Sequence, residues 1–142
     1  MHESYYIDTC IWRDHYENRY SPQGKPLGNY ATKLFTKIMK DKVTIIFSNH
    51  IVYELKKAFA PEEIEEMFQI LFLMKILKKT EITKEDWEEA KKMAQERGVS
   101  KSDSLHAILA RNNNAILITQ NLKDFEKFSD MITIKRPEDI VS

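Results

Sequence analysis

In Tyr5-Tyr6-Ile7-Asp8-Thr9 a short apolar run ends on the carboxylate of Asp8. Its apolar residues fall on both parities, so a strand here has both faces buried, as in a parallel sheet covered by helices. Residues 43–47, 115–119 and 131–134 repeat the pattern. The stretches between them carry helical periodicity. Residues 30–40 place Leu34, Phe35, Ile38 and Met39 on one stripe, and residues 102–112 place Leu105, Ile108 and Leu109 on another. A short helix over residues 51–59 follows a capping Ser48 or Asn49. Pro61, with Glu62, Glu63, Glu65 and Glu66 behind it, opens a further helix where proline and acids are favoured. Thr83 and Asp86 make a capping-box pattern for a helix that stops at Gly98. Alternating strands and helices predict an α/β domain with a mostly parallel sheet. Residues 15–29 follow neither period and hold Pro22, Gly24, Pro26 and Gly28, which predicts one long irregular loop.

The 142 residues suit a single domain, 1–142, with one hydrophobic core. Lys and Arg total 22 and Asp and Glu total 22, which excludes a strongly basic nucleic-acid coat and an acidic tail. The one cysteine, Cys10, has no partner for an intramolecular disulfide and fits a reducing compartment. The opening MHESYYIDTC has neither a basic nor an apolar segment of signal-peptide type. No run approaches the roughly 18 apolar residues of a membrane span. A cytoplasmic protein with no membrane association is expected.

In open α/β sheets, ligands bind beyond the carboxyl ends of the strands. Asp8 ends the first strand, and Glu54 lies about a turn into the helix after the second. Asp103 sits in the first turn of the helix that leads to the third strand, while Asn121 and Asp124 follow Thr119. Right-handed crossovers can bring these positions to one edge. Clustered carboxylates must be protonated or share a cation, and an oxygen-only set suits Mg²⁺ or Mn²⁺ better than zinc. Each acid also has an ordinary structural reading: a strand-end turn former for Asp8, a first-turn acid for Asp103, a solvent-facing partner of Lys57 for Glu54. Spacing alone therefore supports no more than a metal-dependent hydrolase. His50 and His106 share helix faces with Glu54 and Asp103, and each is expected to be a core or supporting residue. Tetrahedral zinc would want a tighter His or Cys cluster.

The strings Tyr5-Tyr6-Ile7-Asp8-Thr9, Ser48 to Leu55, Ser102 to Ala110, and Ala115 to Thr119 with Gln120-Asn121-Leu122-Lys123-Asp124-Phe125 match, in order and spacing, the four motifs of a known family. The sequence resembles the PIN-domain family, and within it the single-domain VapC-type proteins. The resemblance covers almost the whole chain. It implies a PIN-like three-layer sandwich and a Mg²⁺- or Mn²⁺-dependent endoribonuclease, often the toxin of a toxin–antitoxin pair. On that resemblance Asp8, Glu54 and Asp103 carry the metal site and the catalysis, with Asn121 or Asp124 at a fourth position. Thr9 and Thr119 are supporting residues. Hydrolysis would proceed in line at phosphorus and leave a 5′-phosphate. The partners implied are RNA, a small antitoxin protein, and a second copy of the chain docked through residues 30–75.

Two departures stand out. Many family members have Asp where Asn121 stands, and Asn where Cys10 stands. Both favour an alternative, a catalytically silent PIN-like module that binds RNA or a protein partner. Asp8, Glu54 and Asp103 argue the other way. A haloacid-dehalogenase-type phosphatase is excluded, because it needs a second Asp where Cys10 stands. Among the basic residues, Arg13 and Lys101 are the candidate RNA contacts. Trp12 and Tyr16 lie at helical spacing from Asp8 and are expected to pack rather than to stack on a base.

Overall fold

A computed structural model describes residues 3–141. Five strands, β1 (Ser4–Ile7), β2 (Thr44–Phe47), β3 (Leu77–Lys79), β4 (Ile116–Ile118) and β5 (Ile134–Lys135), form an all-parallel sheet in the order β3-β2-β1-β4-β5. Eight helices flank it among the described residues: α1 (Thr9–Glu17), α2 (Leu27–Asp41), α3 (Asn49–Leu55), α4 (Pro61–Leu73), α5 (Lys84–Arg97), α6 (Lys101–Asn112), α7 (Leu122–Phe125) and α8 (Pro137–Ile140). β1 is the central strand. Tyr5 lies in the field of Lys37 on α2, while Tyr6 reaches His106 on α6, so alternate residues of β1 serve the two helix layers. On one side α1 packs on α2 and α3, and α2 on α8. On the other, α5 packs on α6, and α6 on β1 and β4.

Chain order reverses between β1 and β4, the neighbours on either side of the switch point. The Asp8 N–H donates to the Ile118 carbonyl at 2.9 Å, so the two strands remain joined right up to their carboxyl ends. An open parallel sheet has its natural binding crevice at this reversal.

Several elements differ from the sequence reading. Residues 15–29 are not one loop: α1 extends to Glu17 and α2 begins at Leu27. The α1 signal is weak because its buried face is Ile11, Trp12 and Asp14, and the last of these is a charged residue paired with Arg19 at 2.8 Å. β3 is a three-residue edge strand whose Lys78 and Lys79 are exposed, so it lacks the apolar pattern of the inner strands. The last strand lies at Ile134–Lys135, because residues 126–133 form a 3₁₀ turn and a bend after it. The helix expected over residues 51–59 is regular only over Asn49–Leu55, capped by Ser48, and continues as turns to Phe59. The Thr83–Asp86 capping box and the left-handed Gly98 (φ 65°) bound α5 as the sequence predicts.

The segment between α1 and α2 is pinned by ion pairs of Asp14 with Arg19 and of Lys25 with Glu138. Gly28 matters here because of close approach: a Cβ at that position would lie 2.5 Å from Asn18 Cα. Gly28→Ala is expected to lower stability by about 1–3 kcal/mol through overpacking. Equilibrium urea denaturation measures it, and an unchanged midpoint would mean the backbone yields freely. No helix among the described residues is long and apolar enough to cross a membrane.

Candidate active site

Asp8 is the last residue before α1 and caps it. Its carboxylate accepts the Thr9 N–H at 2.8 Å and the Thr119 hydroxyl at 2.8 Å, while the Cys10 thiol lies 3.5 Å from it. The α1 N-terminus also favours a negative charge at this point. Burial pushes the Cys10 thiol well up, with the Asp8 charge adding to the effect, so Cys10 keeps its proton and faces Asp8 as a weak donor. Thr119 does double duty, since its Oγ1 also accepts the Asn121 N–H at 3.0 Å.

Glu54 projects from α3 toward the same edge and is held by three donors. Thr9 Oγ1 donates to Oε1 at 2.7 Å, His106 Nε2 donates to Oε1 at 2.8 Å, and Ser102 Oγ donates to Oε2 at 3.1 Å. Thr9 therefore ties the two acids together, its backbone to Asp8 and its hydroxyl to Glu54. Burial would raise the Glu54 carboxyl, but the hydrogen bonds and charge of His106, with Thr9 and His50 assisting, bring it down to about 2. The sequence-level alternative of a solvent-facing Glu54 paired with Lys57 does not hold in this structure.

His106 is fully enclosed on α6. Burial opposes its charge, yet the hydrogen bond to Glu54 and the fields of Asp8, Glu54 and Asp103 outweigh it and raise its pKa. With both ring nitrogens protonated, Nδ1–H donates to Tyr6 Oη at 2.8 Å, and the Tyr6 hydroxyl in turn donates to Ser48 Oγ at 2.8 Å. His50 is the opposite case. Burial and the neighbouring His106 lower its pKa, so it stays neutral, and its Nε2–H donates to Ser102 Oγ at 2.7 Å. A continuous line of hydrogen bonds thus runs from Ser48 through Tyr6, His106, Glu54 and Ser102 to His50.

A pH dependence follows for the metal-free protein. The raised His106 contributes stability that is whole below its unfolded value near 6.5 and is lost as pH rises through the folded value. The lowered Glu54 contributes stability present above 4.5 and lost as pH falls toward about 2. In EDTA the melting temperature should therefore fall on both sides of the interval between 4.5 and 6.5, with the alkaline fall reduced in His106→Gln. An alkaline limb identical in that variant would contradict the charged pairing.

Asp103, in the first turn of α6, donates its backbone N–H to Ser100 Oγ, the α6 cap, at 2.9 Å. Burial raises its carboxyl pKa, and the charges of Asp8 and Asp124 raise it further against the opposing Ser100 and His106. Asp103 and Asp124 line one open depression of about 440 Å³ with Lys123 and Lys127. The acids expected from sequence are thus brought to the switch point: Asp8 and Glu54 through Thr9, and Asp103 within the field of both Asp8 and Asp124. Asn121 is exposed and joined to the site only through its backbone bond to Thr119.

The donor set fits a hard divalent cation. It is built from carboxylate oxygens, and burial with the charges of Asp8 and Asp124 opposes ionisation of Asp103 more than Ser100 and His106 favour it, a balance a bound cation would reverse. Among the described residues, the trio whose donor atoms lie within 4.8 Å of one another is His50, Glu54 and His106. Both ring nitrogens there serve as N–H donors around Glu54, so this trio acts as a cradle for the carboxylate. Arg13 pairs with Glu17 at 3.1 Å and lies 5.8 Å from the Phe59 ring centroid, while the Lys101 ammonium stands 5.5 Å from the centroid of Trp87.

Sequence reasoning missed Tyr6, Ser48 and Ser102 as parts of the site, and gave His106 only a core or supporting role. A signal was present: Tyr6 lies in a strand buried on both faces, and a buried tyrosine hydroxyl requires a partner.

The family model described as PIN domain matches residues 5–130. A chain from VapBC2 of Rickettsia felis, solved bound to a DNA fragment from their promoter, is similar in fold: TM-score 0.64 at 17% identity, covering 94% of this chain and 98% of that one. A toxin–antitoxin complex from Klebsiella pneumoniae gives 0.58 at 17%, over 87% and 89%. FitAcB from Neisseria gonorrhoeae gives 0.60 at 14%, over 94% and 98%. The comparison with curated proteins finds no match.

Proposed function

The chain belongs to the PIN-domain family, and from that premise we propose that it is a Mg²⁺- or Mn²⁺-dependent endoribonuclease of the VapC toxin type. The observation that carries the reading is that Asp8, just beyond β1, is tied through Thr9 to Glu54 of α3, with Asp103 of α6 within the electrostatic field of Asp8, at the β1/β4 switch point. Asp8, Glu54 and Asp103 would hold the ion, with Asp124 the better placed fourth acid because it shares the Asp103 depression. When bound, a divalent cation neutralises phosphate oxygens and acidifies a water molecule.

The chain's own residues do the rest. Thr9 and Thr119 fix the Asp8 carboxylate against the α1 N-terminus, so its orientation is set before substrate arrives. His106 keeps Glu54 ionised and locks one of its oxygens, and Ser102 steadies the other. Such outer partners orient ligands and typically matter about 10- to 100-fold when removed. Cys10 stands where many relatives have Asn and still contacts Asp8, which weakens the case for a silent module.

The same reading supplies partners. One solved neighbour is a toxin–antitoxin complex, which supports a small antitoxin for this chain too. Ile70, Phe72 and Leu73 are exposed on α4 and support a homodimer through residues 30–75.

Metal binding tests the site directly. Mn²⁺ at a hundred times its dissociation constant should stabilise the folded protein by about 2.7 kcal/mol. The gain should vanish in Asp8→Ala, as read by thermal denaturation. Equal Mn²⁺ stabilisation of both proteins would place the ion elsewhere.

A further inference from the structure

Beside the acidic cleft, between α3 and α5, lies a hollow of about 550 Å³ lined by His50, Tyr53, Ile82 and Trp87. Tyr53 is 57% exposed, unusual for so large a ring, and it stacks on His50 with centroids 5.8 Å apart and planes at 14°. Trp87 meets His50 edge-on at 5.4 Å and 89°. Two ammonium groups stand over these rings: Lys57 Nζ is 4.9 Å from the Tyr53 centroid and Lys101 Nζ 5.5 Å from that of Trp87. Nothing in the hydrolytic machinery uses Tyr53, Trp87 or Lys57.

The hollow is linked to the cleft by hydrogen bonds. His50 forms its inner wall and donates to Ser102, which donates to Glu54, so two hydrogen bonds separate the aromatic lining from a candidate metal ligand. Lys101 is two residues before Asp103, and its ammonium stands over the Trp87 ring. Aromatic faces beside mobile cations are the chemistry that holds single-stranded nucleic acid: bases stack on rings and phosphates meet lysines. An exposed cation–π contact is worth only about 0.5–1 kcal/mol, so a lysine can leave its ring for a phosphate when a base takes its place.

We propose that this hollow is a nucleobase subsite, holding one unpaired base of the RNA strand whose phosphodiester occupies the acidic cleft. The proposal rests on the endoribonuclease reading for the identity of the strand. Tyr53 and Trp87 supply the stacking faces, while Lys57 and Lys101 take the adjoining phosphates. The subsite is tolerant of base identity, since every base has a π-face.

The test is titration of the full chain with a short oligouridylate in EDTA, where no cleavage is expected, read by Trp87 fluorescence. An abasic oligoribose phosphate of the same length is the control. Tyr53→Ala is expected to weaken oligouridylate binding roughly 5- to 150-fold and to leave binding of the abasic strand unchanged. Because Tyr53 is largely exposed, the variant should keep the wild-type melting temperature, which is measured alongside. Equal affinity of wild type and Tyr53→Ala for oligouridylate would overturn the proposal, as would equal quenching by the abasic strand. Unchanged RNA affinity with weakened binding of a protein partner would also overturn it and give the hollow to that partner. Cleavage assays with Mn²⁺ separate the two readings. Tyr53-dependent base binding without cleavage would sink the nuclease and leave the subsite standing. Cleavage with an unchanged KM in Tyr53→Ala would do the reverse.

Discussion

Replacing Asp8 by Ala, or Asp103 by Asn, is expected to lower the rate of RNA cleavage about a thousandfold or more while the protein stays folded. The expected size comes from charge: a cation at the phosphate is worth several kcal/mol to the transition state, and each 1.36 kcal/mol is about tenfold in rate. The two substitutions should separate in stability. Asp8→Ala removes the α1 cap, which typically costs about 1 kcal/mol, and deprives the Thr119 hydroxyl of its acceptor. Asp103→Asn removes a charge that burial, Asp8 and Asp124 already oppose, so in EDTA it should leave the melting temperature unchanged or slightly higher. Single-turnover rates with Mn²⁺, beside melting curves in EDTA, check both halves. A folded Asp103→Asn that cuts at the wild-type rate would remove that residue from the site.

Trp12→Ala should be the most destabilising single change considered, at about 3–5 kcal/mol, the range for deleting a large aromatic from a core. At this chain length that lowers the melting temperature by roughly 10–20 °C. Trp12 is buried where three helices meet, with its ring centroid 5.0 Å from that of Phe35 on α2 and 4.4 Å from that of Phe68 on α4. Its indole N–H donates to the Ile7 carbonyl at 3.2 Å, joining α1 to the end of β1. Losing the ring therefore loosens the helix whose first turn carries Thr9 and orients Asp8. Cleavage should fall along with stability, and Trp12→Phe should recover most of the packing but not the hydrogen bond. Chemical denaturation measures the loss. A cost below about 1 kcal/mol would mean α1 is not docked as described.

Trp12 also shows where reading the sequence succeeds and where it stops. The inner strands were legible because β1, β2 and β4 are apolar on both faces, which only a sheet covered twice requires. Edge strands carry no such mark: Lys78 and Lys79 in β3 are exposed and read as loop. The helix α1 was hidden because one of the three residues on its buried face is Asp14, paired at one oxygen with Arg19 from beyond the helix end, a contact no local period reveals. The acids were legible as a set because each sits at a strand end or in a first helical turn, positions that topology alone sends to one edge. What holds them was not. Glu54 owes its ionised state to His106, 52 residues away, and His106 depends on Tyr6, 100 residues from it. Hydrogen-bond partners at such separations are set by three-dimensional packing and leave no spacing in the chain.

The most direct test of the central claim is incubation of the wild-type protein with a defined single-stranded RNA, in Mn²⁺ or Mg²⁺ and in EDTA, followed by analysis of the product ends. The expected result is cutting only with the divalent ion, giving fragments with 5′-phosphate and 3′-hydroxyl termini. Cutting that persists in EDTA and leaves 2′,3′-cyclic phosphates would contradict a carboxylate–metal mechanism. Intact RNA under all conditions, with no Mn²⁺-induced rise in melting temperature, would contradict the enzyme itself.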